Sequence, residues 1–237
     1  MYDMRRTAEE SRATRERVLR AALRVFSRAG FSASRLEDIA REASVTRGAI
    51  YHHFNSKEGL YRALVAERSV GINRLAEAVV TEGGSPLETL RRLLTGSFTL
   101  LANDPEYRAL LELTLTKVEF TEGLQSITAE SVEGRRQLVA YLEKLLSLGI
   151  ETGEFRSDLA VRPAAYAIVS FMNGVGLLWV QDPRGFSLRR GASSLVETFM
   201  SGLRPSATAQ AHDRIRRGRS QAVADRIVNG RDAHAAT

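Results

Sequence analysis

Apolar residues recur along this chain three and four positions apart, which is the spacing of one face of a helix. The first apolar stripe ends at Gly30, a residue type that often follows the last turn of a helix, and consists of Val18, Leu19, Ala22, Leu23, Val25 and Phe26. No segment alternates like a β-strand, and the sequence has no internal repeat. The pattern predicts an all-α fold.

Glycine, proline and capping residues divide the chain into about nine predicted helices. The first ends at Gly30, and the others span about 36–43, 47–54, 57–80, 87–103, 104–118, 122–152, 161–182 and 187–203. From residue 204 the chain is rich in Ala, Arg and Ser and has weak periodicity, so we expect a disordered tail.

The segment Ser34-Arg35-Leu36-Glu37 has the spacing of a capping box, in which a hydroxyl accepts from the amide three residues on. It predicts that Ser34 caps the helix over 36–43. Ser44-Val45-Thr46 is long enough only for a turn before the next short helix, 47–54. Two short helices joined by such a turn form a helix-turn-helix, whose second helix enters the major groove of DNA.

Residues in and after the second helix favour DNA binding over a helical hairpin that only packs. Arg47 would stand at the start of that helix, and arginine is the side chain that binds guanine bidentately. Gly48 would let the backbone come close to DNA. Tyr51, His52 and Lys57 would form one surface that donates hydrogen bonds to phosphates.

The stretch from Leu36 to Leu60 resembles the DNA-binding region of the TetR/AcrR family of transcriptional repressors. The matching pieces are Asp38-Ile39-Ala40, Ala43, Val45-Thr46-Arg47-Gly48, Ile50-Tyr51, His53-Phe54, Lys57 and Leu60, preceded by Ala21-Ala22, Phe26 and Gly30-Phe31. The resemblance implies a three-helix DNA-binding domain followed by a helical ligand-binding and dimerisation domain. The DNA contacts that it implies are Ser34, Thr46, Arg47, Gly48, Tyr51, His52 and Lys57.

The sequence departs from the family pattern at two positions. Arg35 stands where the family usually has threonine, which moves the expected helix cap to Ser34 and adds a phosphate contact by Arg35. Ser44 stands where glycine is common, and a positive φ there would cost serine about 1 kcal/mol. His53 and Phe54 are predicted to lie in the core rather than against DNA.

Shorter matches in the C-terminal part resemble the multidrug-efflux repressors of AcrR and TtgR type. They are Lys117-Val118-Glu119-Phe120-Thr121, Gly174, Trp179-Val180-Gln181-Asp182-Pro183 and Phe186-Ser187-Leu188. The last two helices of this family pair across a homodimer, which assigns that role to 161–182 and 187–203. An apolar stripe on the latter suits this pairing, with burial in the chain's own core as the alternative; it consists of Leu195, Val196, Phe199 and Leu203.

Residues 163–180 carry no charge, and their length reaches the lower limit for a membrane span. Polar or small residues interrupt this segment, namely Ser170, Asn173, Gly174 and Gly176, and no second span follows. We therefore expect a buried helix and no membrane contact. The N-terminus is charged and has no apolar signal region, so we do not expect secretion by that route. The family resemblance implies a cytoplasmic bacterial protein associated with the nucleoid.

A ligand pocket is expected among the helices over 87–103, 104–118, 122–152 and 161–182. Candidate walls are Leu93, Leu111, Leu115 and Met172, and Asn173 is a candidate anchor, because an amide within an apolar helix needs partners when buried. The alternatives are that the apolar residues only form core and that Asn173 bonds a neighbouring helix. The family implies a small hydrophobic inducer such as a drug, dye or plant phenolic.

Composition and charge narrow the function further. The 237 residues include 34 Lys and Arg, 28 Asp and Glu, four His and no Cys. Disulfides and thiol chemistry are excluded, and the sequence contains no recognisable metal site, cofactor motif or catalytic arrangement, so we expect no enzyme. Residues 1–60 and 204–237 each carry +4, whereas 61–203 carry −2, which favours a polyanionic partner at the ends.

These features predict three regions: a helix-turn-helix DNA-binding domain with a basic N-terminal arm (1–56), a ligand-binding and dimerisation domain (57–203), and an Arg-rich tail (204–237). The expected protein is a dimeric repressor that binds a (pseudo)palindromic operator in double-stranded DNA. A small hydrophobic inducer would release it from a multidrug efflux operon. The alternative is a repressor or activator of a metabolic or other non-efflux gene.

Overall fold

The computed structural model describes residues 2–116 and 125–205, and these residues form ten α-helices and no strand. The predicted all-α fold is confirmed. The Lys117–Thr121 match and most of the Arg-rich tail lie outside the described residues. The helices are α1 (Tyr2–Ala33), α2 (Leu36–Ala43), α3 (Arg47–Phe54), α4 (Lys57–Arg68), α5 (Val70–Glu82), α6 (Pro86–Asn103), α7 (Pro105–Thr116), α8 (Gln125–Glu151), α9 (Val161–Gln181) and α10 (Leu188–Ser201).

The first four helices share one hydrophobic core. Phe26 and Phe31 of α1 pack against Tyr61 of α4, with ring centroids 5.8 and 5.3 Å from that of Tyr61. Ile39 of α2 and Ile50 of α3 are fully buried in the same core. Burial raises the pKa of Tyr61 to about 12. Because α4 contributes Leu60, Tyr61 and Leu64, this N-terminal core includes residues beyond 56.

The predicted helix over 57–80 is interrupted at Ser69, so the described chain has ten helices where the pattern predicted nine. Ser69 has φ −86° and ψ −1°, at the edge of the helical region. The bend turns α5 against α6, where a β-carbon on Gly71 would lie 3.2 Å from Leu100 Cδ1. The periodicity did not reveal this bend, because apolar residues continue on both sides of it.

The remaining helices surround α6 in a second core. Phe98 of α6 contacts Phe171 of α9 edge-on at 5.6 Å, and Phe171 stacks on Phe199 of α10 at 4.3 Å between ring centroids. The apolar stripe of α10 faces this core: Val196 and, just after the helix, Leu203 are buried, and Leu195 and Phe199 pack against the core. This arrangement favours the alternative interpretation of the stripe, burial within the chain.

α9 is buried on one side only. Its buried residues are Ala164, Ala165, Ile168, Val169, Gly176 and Trp179, whereas Tyr166 and Leu178 are exposed. The helix is long and apolar enough to cross a membrane, with a mean hydropathy of 1.4 over its best window. A single helix of this kind is weak evidence for a membrane, because core helices of globular proteins meet the same criterion.

Candidate nucleic-acid interface

The turn between α2 and α3 closes through the backbone. The amides of Ser44 and Val45 donate to the carbonyls of Arg41 and Ala40 at 3.1 and 3.0 Å. Ser44 has φ 52° and ψ 49°, so the positive φ expected at this position is confirmed. This left-handed residue aims α3 across α2 at the cost of some backbone strain.

Ser34 does not cap α2, so the capping-box prediction is wrong. Its buried hydroxyl donates to the carbonyl of Phe31 at 2.7 Å and thereby closes the last turn of α1. Arg35 occupies the N-cap position, exposed and extended, and no side chain accepts from the first turn of α2. The phosphate contact expected of Ser34 stays a prediction, although its hydroxyl already has a partner within the chain.

α3 presents one exposed face and one buried face. Thr46 caps the helix, since its hydroxyl accepts from the amide of Ala49 at 3.2 Å. Ile50 and Phe54 point into the core, which confirms the position predicted for Phe54. The exposed face is formed by positions one turn apart and carries Arg47, Gly48, Tyr51 and His52. Four of the predicted DNA contacts therefore lie together.

Arg47 is held by two neighbours on this face. Its Nη1 donates to Glu37 Oε1 at 2.5 Å, and its Nη2 donates to the Tyr51 hydroxyl at 2.9 Å. The hydrogen bond with Tyr51 and the charge of Glu37 raise the pKa of Arg47 above its usual value. Glu37 was missed by sequence reasoning, because it lies ten residues away on another helix.

Gly48 of α3 and Gly59 of α4 have opposite surroundings. A β-carbon on Gly48 would meet only the Thr46 hydroxyl, at 3.8 Å, so packing does not require glycine there. A β-carbon on Gly59 would lie 2.1 Å from the carbonyl oxygen of Phe54, so α4 can start against the end of α3 only with glycine at this position. Gly48 is thus free to serve DNA approach, whereas Gly59 serves the fold.

Lys57 makes contacts within the chain. Its ammonium donates to the carbonyls of Ser34 and Ser32 at 2.7 and 3.2 Å and lies 4.4 Å from the centroid of the Phe31 ring. Burial lowers the pKa of Lys57, partly offset by the charge of Glu58. The ammonium keeps one further N–H for a phosphate, so the predicted DNA contact would add to a structural role.

The histidines of α3 differ in environment. His52 is exposed, whereas His53 is half-buried, with its ring centroid 5.3 Å from that of His52. Burial, followed by the charges of His52 and Arg15, lowers the pKa of His53. His53 is therefore biased toward the neutral form near neutral pH.

The predicted ligand-binding residues do not form a ready cavity. Leu93 is buried in the second core, and Leu111 and Met172 pack against that core. Leu115 is 37% exposed, and Asn173 is exposed on the outer side of α9 rather than turned inward. The argument for Asn173 as a buried anchor therefore does not apply within a single chain. An apolar groove of about 570 Å³ lies elsewhere, between α5 and α6, and is lined by Leu75, Ala78, Val79, Glu82, Arg92, Thr95, Gly96, Thr99, Leu100 and Asn103.

Arg68, the last residue of α4, connects the N-terminal helices α1 and α4 with α7. Its side chain is only 9% exposed and lies between two carboxylates. Nη2 is 2.6 Å from Glu16 Oε1 of α1, and Nε is 3.0 Å from Glu106 Oε2 of α7. The DNA-binding body is thus tied to α7 through a nearly buried cation, a contact that periodicity does not reveal.

A sharp turn between two short helices, with an exposed arginine and glycine at the start of the second, defines a helix-turn-helix DNA-binding protein. Residues 18–64 match the family model "Bacterial regulatory proteins, tetR family", and residues 85–205 match "MAATS-type transcriptional repressor, C-terminal region". The chain belongs to the TetR family of transcriptional repressors.

Individual relatives agree with this assignment. The chain is 32% identical to the HTH-type transcriptional regulator TtgR of Pseudomonas putida, over 86% of this chain and 97% of that protein. The structure of NalD, the secondary repressor of the MexAB-OprM multidrug efflux pump in Pseudomonas aeruginosa, matches with a TM-score of 0.75 and 28% identity, over 84% of this chain and 99% of that one. The predicted resemblance to efflux repressors is confirmed.

A regulator whose structure contains a different kind of ligand is also similar. FadR from Bacillus subtilis, solved in complex with stearoyl-CoA, matches with a TM-score of 0.66 and 26% identity, over 79% of this chain and 98% of that one. TtgR, NalD and FadR are transcriptional regulators rather than enzymes.

Proposed function

We propose that this chain is a dimeric repressor that binds a (pseudo)palindromic operator and leaves it when a small hydrophobic inducer binds, and that it controls a multidrug efflux operon in the bacterial cytoplasm. The observation that carries the DNA part is the exposed face of α3, where Arg47, Gly48, Tyr51 and His52 lie together. The efflux part rests on similarity to NalD.

The dimer is proposed to form through the outer side of α9, with α10 beside it. Tyr166 and Leu178 are 45% and 64% exposed, and Ser170 and Asn173, which lie between them in the sequence, are exposed as well. Large apolar side chains exposed on the outer side of a helix whose other side is buried are typical of a subunit contact. Two recognition helices about 34–36 Å apart would then reach successive major grooves.

The inducer is proposed to enter the second core near Leu93, Leu111 and Met172. These side chains pack closely with their neighbours, so a ligand must separate helices to be accommodated. Binding would thus favour a second arrangement of the regulatory helices. Because α7 also holds Glu106 against Arg68, its displacement would disturb the DNA-binding body.

The proposal is tested by selecting DNA from a random-sequence pool with the purified full-length protein. The selected duplex is then titrated at fixed salt with excess competitor, in the presence and absence of hydrophobic drugs, dyes and flavonoids. We expect an inverted-repeat sequence, bound by a dimer and released by at least one compound. The active compound should lower the affinity for the selected duplex roughly 5- to 150-fold, which is the usual range of allosteric coupling. Failure to enrich any sequence would contradict the DNA-reading role of α3.

A metabolic regulator is the second candidate, favoured by the likeness to FadR in its stearoyl-CoA complex. Long-chain acyl-CoA is therefore titrated against the same selected duplex. Release by acyl-CoA, with no response to drugs or flavonoids, would assign the chain to lipid metabolism instead of efflux. A genomic position of the selected sequence beside efflux genes would support the first candidate.

A further inference from the structure

Glu37 is an acidic side chain on the surface proposed to meet DNA. Its carboxylate contacts Arg47 at 2.5 Å, and the two side chains are 51% and 56% exposed. A carboxylate close to phosphates opposes binding to any DNA sequence. Its place beside the proposed base-reading arginine therefore needs a physical explanation.

The contacts of Arg47 leave room for a base. A guanidinium has five N–H donors, and Glu37 and Tyr51 each accept one, from different terminal nitrogens. Three donors remain, whereas guanine O6 and N7 need only two. Arg47 can thus bind guanine while both neighbours keep their hydrogen bonds.

We propose that Glu37 is a positioning residue that fixes the guanidinium of Arg47 for base readout and so raises the preference for operator over other DNA. This inference rests on the proposed function, because it requires α3 to read DNA through Arg47. A side chain ordered before binding loses less entropy on forming its contact with guanine. Where Arg47 finds no guanine, the carboxylate still repels phosphates and weakens the wrong complex.

The test compares Glu37→Gln with Glu42→Gln, a control on the same helix. Glu42 pairs with Arg24 at 2.7 Å, so its substitution removes an equal charge without touching Arg47. Fluorescence anisotropy measures the dissociation constants of the duplex selected by the wild-type protein and of a scrambled duplex of the same composition. We expect Glu37→Gln to lower the ratio of the two affinities roughly two- to tenfold, the effect of ordering one long side chain. Glu42→Gln should leave the ratio unchanged.

Glu37→Asp separates geometry from charge. The shorter carboxylate keeps the negative charge but draws back from Arg47. We expect the ratio to fall as in Glu37→Gln, whereas affinity for scrambled DNA stays near that of the wild type. Thermal unfolding of each variant confirms that the helix-turn-helix is intact, since exposed ion pairs contribute little to stability.

Three outcomes would overturn the proposal. If Glu37→Gln shifts both affinities equally, Glu37 acts only through its charge and does not position Arg47. An unchanged ratio in Glu37→Asp would lead to the same conclusion. A ratio that rises in Glu37→Gln would mean that the carboxylate obstructs Arg47. Arg47→Ala tests the underlying assumption separately: a ratio unaffected by this substitution would refute base reading by Arg47 itself. If Arg47→Ala does lower the ratio, adding Glu37→Gln to it should change the ratio no further.

Discussion

Leu111 and Leu113 lie two residues apart on α7 but belong to different hydrophobic cores. Leu113 is fully buried among side chains of α1 to α4, whereas Leu111 packs against the second core, the one around α6. α9 approaches Leu111 closely, since a β-carbon on Gly176 of α9 would lie only 3.0 Å from Leu111 Cδ2. A ligand that shifts α7 must therefore rearrange contacts in both bodies, which gives the proposed release of DNA a physical route.

Leu113→Ala should destabilise the DNA-binding body. Truncation of a fully buried leucine leaves a cavity and costs about 2–5 kcal/mol. Urea denaturation gives the free energy of unfolding, with Leu115→Ala as the control on the same helix. Leu115 is 37% exposed, so its truncation should cost less than about 1 kcal/mol. Equal losses in the two variants would contradict the placement of Leu113 in the N-terminal core.

Arg68→Ala should lower the free energy of unfolding, because Arg68 links α4 to α1 and α7 through ion pairs. The substitution removes the cation between Glu16 and Glu106 and leaves the two carboxylates facing each other. Arg68 donates hydrogen bonds to Glu16, and hydrogen bonds to charged groups contribute about 1.5–3 kcal/mol, so we expect a loss of this size in urea denaturation. Arg41→Ala is the control, because Arg41 is exposed and pairs only within α2 with Asp38. A loss no greater than that of the control would show that these ion pairs do not stabilise the fold.

Gly48→Ala should separate DNA binding from folding. Alanine fits beside Thr46 and is a better helix former than glycine, so stability should rise by up to about 1 kcal/mol. The added methyl group lies on the proposed DNA face, so affinity for the selected duplex should fall. Calorimetry and anisotropy measure the two effects. Gly59→Ala should do the opposite and destabilise the fold through its clash with Phe54. Unchanged DNA affinity in Gly48→Ala would argue against close backbone approach at this position.

The helix-turn-helix was the part of the fold that the sequence predicted best. The bounds 36–43 and 47–54 agree with α2 and α3, because buried apolar side chains mark both helices and Thr46 caps α3. The bend at Ser69 carried no such mark. Asn173 shows a different limit, because hydropathy does not distinguish a side chain turned to the chain's own core from one exposed on the outer side of the same helix.

The sequence predicted which residues form the candidate DNA surface better than it predicted the contacts among them. Arg47, Gly48, Tyr51 and His52 follow from helical spacing and from the family motif. The pairing of Glu37 with Arg47 depends on the angle between α2 and α3, and the bonds of Lys57 to carbonyls of the preceding loop depend on tertiary packing. Such long-range geometry leaves no periodic signal in a single sequence.

His53→Gln should make the DNA-binding body less sensitive to acid. Burial and the nearby charges of His52 and Arg15 lower the pKa of His53 from its ordinary value of 6.5. The unfolded chain therefore takes up the proton first as the pH falls, so His53 costs stability from about pH 6.5 downward and has no such effect above it. The unfolding temperature of the wild-type protein, measured at pH 7.5 and 5.5, should drop by more than that of His53→Gln. His52→Gln removes the smaller contribution of a neighbouring charge but leaves His53 buried, so its drop should lie between those of the wild type and His53→Gln. If His53→Gln and the wild type lose stability in parallel on acidification, the half-buried imidazole is not the group that responds to pH.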